Sequence, residues 1–327
     1  MTKDPVHDLI IVGAGPGGLT AGLYASRARL DTVLLEKGAA GGQILVTAWI
    51  DNYPGFPEGL SGFDLADKMA AQAQRFGLGI ANKTVIAMDL LPEVKRITCD
   101  DGEILLGRAV ILATGARPNH LQVPGETELT GKGVSYCATC DGPFYRDMDI
   151  AVVGGGDTAL QEAVYLTKFA KTVTVIHRRH HFRSTPLIQE VAMAHDQVRF
   201  ICDSRVIGIE GEKEVKAVRI RKGDGSEETH TFQGVFVLIG VTPNNEMLPL
   251  DQLAHEEGFI ITDCMMRTNI PGVMAIGDLR YNSVRQVVSA AGDGAVAVKA
   301  AERHLDLLRH ANKREAVIPP KCVGAGN

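Results

Sequence analysis

Two glycine-rich turns, about 140 residues apart, constrain this chain more than any other feature. The first is Gly13-Ala14-Gly15-Pro16-Gly17-Gly18. It follows the apolar run Leu9-Ile10-Ile11-Val12 and opens a helical pattern through Leu19, Ala21, Leu23 and Ala25. A second apolar run, Thr32-Val33-Leu34-Leu35, then ends at Glu36. Strand, tight turn, helix and strand make the βαβ unit of a doubly wound parallel sheet. The same unit recurs as Ile150-Ala151-Val152-Val153, then Gly154-Gly155-Gly156-Asp157-Thr158-Ala159. A helix follows over about 158–169, and the strand Thr172–Ile176 leads into His177-Arg178-Arg179. There is no short-period repeat, so one whole supersecondary unit is duplicated.

Each turn has the form of a dinucleotide site. In the first, Gly13, Gly15 and Gly18 allow the tight turn, the close approach of a pyrophosphate and the packing of helix on strand. The helix N-terminus offers N–H donors to phosphate, and Glu36 can accept from ribose hydroxyls. In the second, Gly154, Gly156 and Ala159 take the three places, and Asp157 and Thr158, which open the helix, are expected to bind the cofactor with them. No acid corresponds to Glu36. His177, Arg178 and Arg179 stand there instead, with Arg183 four residues on, and all four are expected to contact the cofactor. Guanidinium groups pair with a 2′-phosphate, so this site is expected to take NADPH rather than NADH. His180 and His181 read as surface residues.

Between the turns lies Cys137-Ala138-Thr139-Cys140, followed by Asp141. This spacing allows a reducible disulfide, and Asp141 is placed to carry a proton for a departing or attacking sulfur. Zinc needs four ligands. No second Cys-x-x-Cys exists, and Cys322 with His310 is a poor substitute, so no metal site is expected. A redox pair flanked by two dinucleotide sites describes electron flow from a nicotinamide, through a flavin, to a disulfide.

Further segments support a flavin: Gly41-Gly42-Gln43, then Ala113-Thr114-Gly115 after the run Val110-Ile111-Leu112. Gly277-Asp278 follows another apolar run, and Arg285-Gln286 opens a helix carrying Ala290, Ala291 and Gly294. The run 230–240 reads as a buried strand. Candidate linkers occur at Gly115-Ala116-Arg117-Pro118-Asn119 and Thr242-Pro243-Asn244-Asn245, the latter as a turn. They delimit a domain of 118–243 inserted into a discontinuous one of 1–117 and 244–327. Two linkers make the double hinge that a rotating domain needs.

Bulk properties agree. Of 327 residues, 34 are basic and 39 acidic, a net charge of −5 that argues against nucleic-acid or membrane-surface partners. No apolar run reaches the roughly 18 residues of a membrane span. Met1-Thr2-Lys3-Asp4-Pro5 lacks a secretory apolar region, which makes the cytoplasm the expected compartment. There an even cysteine count does not imply structural disulfides. Cys99, Cys202 and Cys264 lie in strand-like patterns and are expected in the core. The tail from about 311, including Cys322, reads as an untied terminus with an incidental cysteine.

From about residue 6 to 310, these motifs, with Asn52-Tyr53-Pro54-Gly55 and Phe182-Arg183, resemble the low-molecular-weight thioredoxin reductases of bacteria, plants and fungi. The resemblance implies an α/β fold of two Rossmann-like, three-layer nucleotide-binding domains, with the NADPH domain inserted into the FAD domain. It implies a homodimer, FAD in the discontinuous domain, and NADPH with the redox disulfide in the inserted one. By the same resemblance, Cys140 is the flavin-side sulfur, Cys137 attacks the partner's disulfide, and Asp141 is the acid–base. Arg178, Arg179 and Arg183 hold the 2′-phosphate. Gln43, Asn52, Asp278 and Gln286 hold FAD, and the inserted domain rotates between two states. The expected substrate is oxidised thioredoxin. The alternative is the same chemistry on another disulfide partner, a glutaredoxin-like protein or a peroxidase-reducing module.

Overall fold

Uninterrupted runs of Leu, Ile and Val suit parallel strands covered on both faces, and the runs beside both glycine turns take that place. The computed structural model describes residues 5–316, with side chains through residue 311. The tail with Cys322 lies outside the described residues. The chain runs β1 (Val6–Val12), α1 (Pro16–Arg27), β2 (Thr32–Glu36), α2 (Gly62–Arg75) and β3 (Gly79–Asn82). It continues through β4 (Val85–Asp89), β5 (Lys95–Cys99), β6 (Ile104–Leu112) and β7 (Ala116–Pro118). Next come β8 (Val134–Ser135), α3 (Ala138–Asp141), β9 (Asp149–Gly154), α4 (Asp157–Leu166), β10 (Thr172–Ile176), α5 (Pro186–Met193) and β11 (Val198–Ile201). Then follow β12 (Ser204–Gly211), β13 (Val215–Lys222), β14 (Glu227–Thr231), β15 (Gly234–Leu238) and β16 (Val241–Pro243). β17 (His255–Glu256), β18 (Phe259–Ile260), β19 (Val273–Ala275) and α6 (Val287–Ala316) complete it.

The first sheet has the order β3-β2-β1-β6, with β19 parallel to the C-terminal part of β6. β5 pairs antiparallel with the N-terminal part of β6, and β4 with β5. Leu9 to Val12 of β1 are all buried, because side chains on successive residues point to opposite faces and both faces are covered. Leu9 and Ile11 pack with Leu19 and Ala21 of α1 and with Ala297 and Val298 of α6. Ile10 and Val12 pack on the other face with Met88, Ile97, Leu248 and Ile260. The body therefore has three layers.

The second sheet, β11-β10-β9-β15-β8, is parallel throughout. Its β9-α4-β10 start repeats β1-α1-β2. Ile150, Val152 and Phe236 pack on Ala159, Leu160, Ala163 and Leu166 of α4. Ala151, Val153, Val235 and Val237 face Val206, Ile209, Val218 and Ile220 of an antiparallel sheet, β12-β13-β14. Truncating a buried aromatic such as Phe236 to Ala in such a core costs about 3–5 kcal/mol.

The chain divides into two compact units. One contains the residues up to Leu45, Gly62–Ala116 and the residues from Pro243 onward; the other contains Val46–Ser61 and Arg117–Thr242. Val46–Ser61 thus groups with the second unit, whereas the sequence reading has it in the first. Gly131 of the second unit lies close to this segment, since a Cβ there would be 3.6 Å from the Ala48 methyl.

Two other expectations change. The Thr242–Asn245 region is not a turn, because β16 is extended and pairs with β7 as a two-stranded ribbon. The Thr242 hydroxyl donates to Asn119 Oδ1 (2.7 Å) and the Thr114 hydroxyl to the Asn244 carbonyl (2.6 Å), so side chains lock both ends. The apolar run 230–240 is not one strand: Thr231 ends β14 and Gly234 begins β15.

Candidate functional site

The first turn is built from three glycines with different duties. Gly13 has φ +106°, and a Cβ there would lie 2.4 Å from the Ala113 carbonyl oxygen. A Cβ on Gly18 would lie 1.9 Å from the Gly13 carbonyl oxygen. Gly15 differs, since its φ of −69° suits any residue and nothing lies within 4 Å of a Cβ placed there. Gly15 is the N-cap of α1 and gives no side-chain cap. The first N–H groups of the helix therefore lack the side-chain acceptor that a Ser or Asp would give, beside open space. That is a phosphate cradle which a Cβ would fill.

Glu36 stands at the end of β2, where its Oε2 accepts from the Ala14 N–H (2.8 Å) and its Oε1 from the Gly38 N–H (3.1 Å). The Gly41-Gly42 loop closes over the turn. The Gly41 N–H donates to the Ala14 carbonyl (2.8 Å), and Gly42 lies against Gly15. Gln43 is exposed, on the short helix Gly42–Val46. The start of α1 also meets the end of β19: a Cβ on Gly17 would lie 3.2 Å from the Ile276 side chain. This brings Gly277-Asp278 to the same end of the sheet. Burial pushes the Asp278 carboxyl up to about 6, with Asp293 adding to the rise and Arg285 opposing it. Arg285 stacks its guanidinium 5.3 Å from the Phe259 ring centroid, and the Gln286 N–H donates to the Ser289 hydroxyl (3.3 Å). Gly115 (φ +69°) faces open space, while the Thr114 hydroxyl is engaged in the ribbon. Asn52 is exposed and lies in Val46–Ser61, outside this unit.

The second turn repeats the first. A Cβ on Gly154 would strike the Leu238 carbonyl oxygen at 2.5 Å and the Ala159 methyl at 2.6 Å. Gly156 caps α4 without a side-chain bond and faces open space, and Thr158 is exposed on the first turn. Arg178, Arg179 and Arg183 are all exposed, and the Arg183 N–H donates to the Gly155 carbonyl (2.8 Å). The basic groups thus gather by the cradle. His180 and His181 are exposed, and His180 pairs with Asp203 at 3.3 Å.

His177 is the exception. Its side chain is buried, its ring stacks on Phe182, and its Nε2 lies 3.1 Å from the His181 carbonyl oxygen. Burial holds its pKa below the usual histidine range. It supports the loop from behind instead of presenting a donor to phosphate, which corrects the expectation of a direct contact.

Cys137 and Cys140 are joined as a disulfide, with Cα atoms 5.3 Å apart. Cys137 caps the short α3, and its Sγ accepts from the Cys140 N–H (3.2 Å). Burial pushes the Asp141 carboxyl above the ordinary range, and a hydrogen bond with Ser135 pulls it back. The nearby Tyr145 phenol is raised to about 12 by burial and by the Asp141 charge. Ser135, which the sequence reading did not single out, is buried, and its Oγ accepts from the Cys137 N–H (3.1 Å). The adjacent Tyr136 hydroxyl donates to Glu126 (3.0 Å), whose carboxylate also accepts the N–H groups of Leu121 (2.9 Å) and Gln122 (2.7 Å).

Of the other cysteines, Cys99 is buried and Cys202 is partly so, but Cys264 is exposed and is not a core residue. Asp263 Oδ1 accepts the N–H groups of Met265 (2.8 Å) and Arg267 (3.0 Å), winding the chain into a turn that leaves Cys264 outside. Among the described residues, no group of three or more His, Cys, Asp or Glu side chains could hold a metal ion. Among the described residues, no helix is long and apolar enough to cross a membrane.

Two cradles of dinucleotide type and a disulfide beside a half-buried carboxyl define a class of redox enzyme. The chain belongs to the pyridine nucleotide-disulphide oxidoreductase family, whose model matches residues 7–294. Within that family it is similar to thioredoxin reductases. It is 42% identical to the one from Listeria innocua over 317 residues, covering 96% of this chain and 99% of that protein. It is 44% identical to the one from Mycolicibacterium smegmatis over 306 residues, covering 93% and 98%. The crystal structure of thioredoxin reductase from Streptococcus pyogenes superposes with a TM-score of 0.90 at 43% identity, covering 93% of this chain and all of that one.

Proposed function

We propose that this chain is an NADPH-dependent, FAD-containing disulfide reductase that reduces oxidised thioredoxin through Cys137 and Cys140. The observation that carries this reading is the disulfide beside the half-buried Asp141, in the same unit as an arginine-flanked phosphate cradle. Relatives covering nearly the whole chain are thioredoxin reductases.

In this reading residues 1–117 with 244–327 form the FAD domain, and 118–243 form the NADPH domain. Gly13, Gly15, Gly18, Gly41, Gly42 and the start of α1 receive the FAD pyrophosphate, and Glu36 accepts from its ribose. Asp278, with Gln43, Thr114, Gly115, Gly277, Arg285 and Gln286, lines the rest. Gly154, Gly156, Thr158 and Ala159 form the NADPH cradle, and Arg178, Arg179 and Arg183 pair with the 2′-phosphate. The paired connections β7 and β16 suit a double hinge. The resemblance supports a homodimer and a cytoplasmic location.

When bound, the two cofactors supply a hydride donor and a relay that delivers an electron pair to the disulfide. The electron pair breaks the S–S bond, and with two protons the product is the Cys137, Cys140 dithiol. Asp141, holding its proton to higher pH than a free carboxyl, supplies one of them and later takes one back. The Cys137 thiolate then attacks one sulfur of the partner disulfide and the other partner sulfur leaves as thiolate. Cys140 attacks Cys137, releases the reduced partner and restores the disulfide.

The test is NADPH consumption by the FAD-loaded protein with oxidised thioredoxin, beside Cys140→Ser. Turnover is expected in the parent and lost in the variant, with NADPH-to-flavin transfer intact in both. Thioredoxin turnover retained in Cys140→Ser contradicts the assignment. Turnover with another disulfide protein but not with thioredoxin keeps the chemistry and moves the substrate.

A further inference from the structure

The basic loop after β10 is folded back on the second glycine turn by contacts that spend no arginine side chain. The Arg183 N–H donates to the Gly155 carbonyl (2.8 Å), and two residues later the Thr185 N–H donates to Asp157 Oδ1 (2.7 Å). From below, the His177 ring fills the place of a Gly155 side chain, where a Cβ would lie 2.1 Å from Nδ1. The loop is therefore pinned at both ends while Arg178, Arg179 and Arg183 stay exposed.

Asp157 is an unexpected residue for this position on electrostatic grounds alone. A carboxylate in the first turn of α4 lies at the mouth of a phosphate cradle and repels the arriving anion. Its bond to the Thr185 N–H offers the compensation, since that tether fixes where Arg183 sits.

We propose that Asp157 is a positioning residue for cofactor preference: by tethering Thr185 to the first turn of α4, it holds Arg183 beside the glycine turn to meet the 2′-phosphate. This rests on the NADPH reading above. The carboxyl is held below its usual range, with the Thr185 N–H as the largest cause, as expected of a carboxylate engaged in that bond. Asp157 itself need not touch the cofactor. Its effect falls on the discrimination between NADPH and NADH more than on binding of the shared dinucleotide.

The experiment measures equilibrium binding of NADPH, NADH and 2′,5′-ADP to the FAD-loaded parent, Asp157→Ala and Asp157→Asn. Loss of one well-placed charge-assisted contact predicts that Asp157→Ala weakens NADPH and 2′,5′-ADP by roughly tenfold and NADH by less than about twofold. Asp157→Asn keeps an oxygen that accepts the Thr185 N–H and is expected to retain the parent's preference. An unchanged NADPH/NADH ratio in Asp157→Ala overturns the proposal. So does equal weakening of both nucleotides, which marks a general structural role, or tighter NADPH binding in both variants, which marks simple repulsion. A parent with no preference for NADPH defeats the underlying cofactor reading, and this proposal with it.

Discussion

Ser135 is only 3% exposed, and its Oγ accepts from the Cys137 N–H while hydrogen bonding to Asp141. Burial raises the Asp141 pKa and this hydroxyl lowers it. Ser135→Ala removes the lowering contribution, so Asp141 holds its proton to still higher pH. A step that needs the carboxylate is then lost at a higher pH on acidification, so its acid limb moves up. The rate of Cys137 alkylation in the dithiol form, followed against pH by peptide mass spectrometry, reads this without turnover. Ser135→Thr restores a hydroxyl and should return the limb toward its original place; an unmoved limb in Ser135→Ala contradicts the role. The Cys137–Cys140 pair was legible because its chemistry follows from residue type and spacing. Ser135 was not, because its importance lies in burial, which spacing does not encode. His177 and Cys264 failed for the same reason in opposite senses, one turned inward and one outward by nonlocal packing or a side-chain turn.

The glycine turns separate two kinds of constraint at the level of the element. Gly18 is bounded by the Gly13 backbone, while Gly15 faces open space with ordinary backbone angles. Gly18→Ala should destabilise the fold by about 1–3 kcal/mol through overpacking, seen as a lower melting temperature of the cofactor-free protein. Gly15→Ala should leave that temperature nearly unchanged and abolish FAD retention, because its methyl occupies the phosphate cradle. Equal melting losses in the two variants contradict this division. Both βαβ starts were readable because a buried parallel strand, a glycine turn and an amphipathic helix are each local in sequence. The antiparallel β12-β13-β14 layer was not recognised. β14, from Glu227 to Thr231, buries no residue fully and carries no apolar signal. The β7–β16 ribbon was read as two linkers, the second a turn, because Pro and Gly punctuate it, yet its pairing joins segments more than a hundred residues apart.

For the whole molecule, the duplication of one supersecondary unit made the two-domain architecture readable, and the repeated glycine turns mark its two nucleotide sites. The grouping of Val46–Ser61 with the second unit was beyond the sequence, since nothing in its composition separates it from its neighbours. The account as a whole states that electrons leave the protein through Cys137 to a partner disulfide. The most direct test presents Cys140→Ser to a thioredoxin whose resolving cysteine is replaced and whose attacking cysteine is activated as a mixed disulfide with thionitrobenzoate. The account predicts release of thionitrobenzoate and a stable covalent complex, mapped by mass spectrometry to Cys137. A complex mapped to another cysteine, or none while the flavin is still reduced by NADPH, contradicts it.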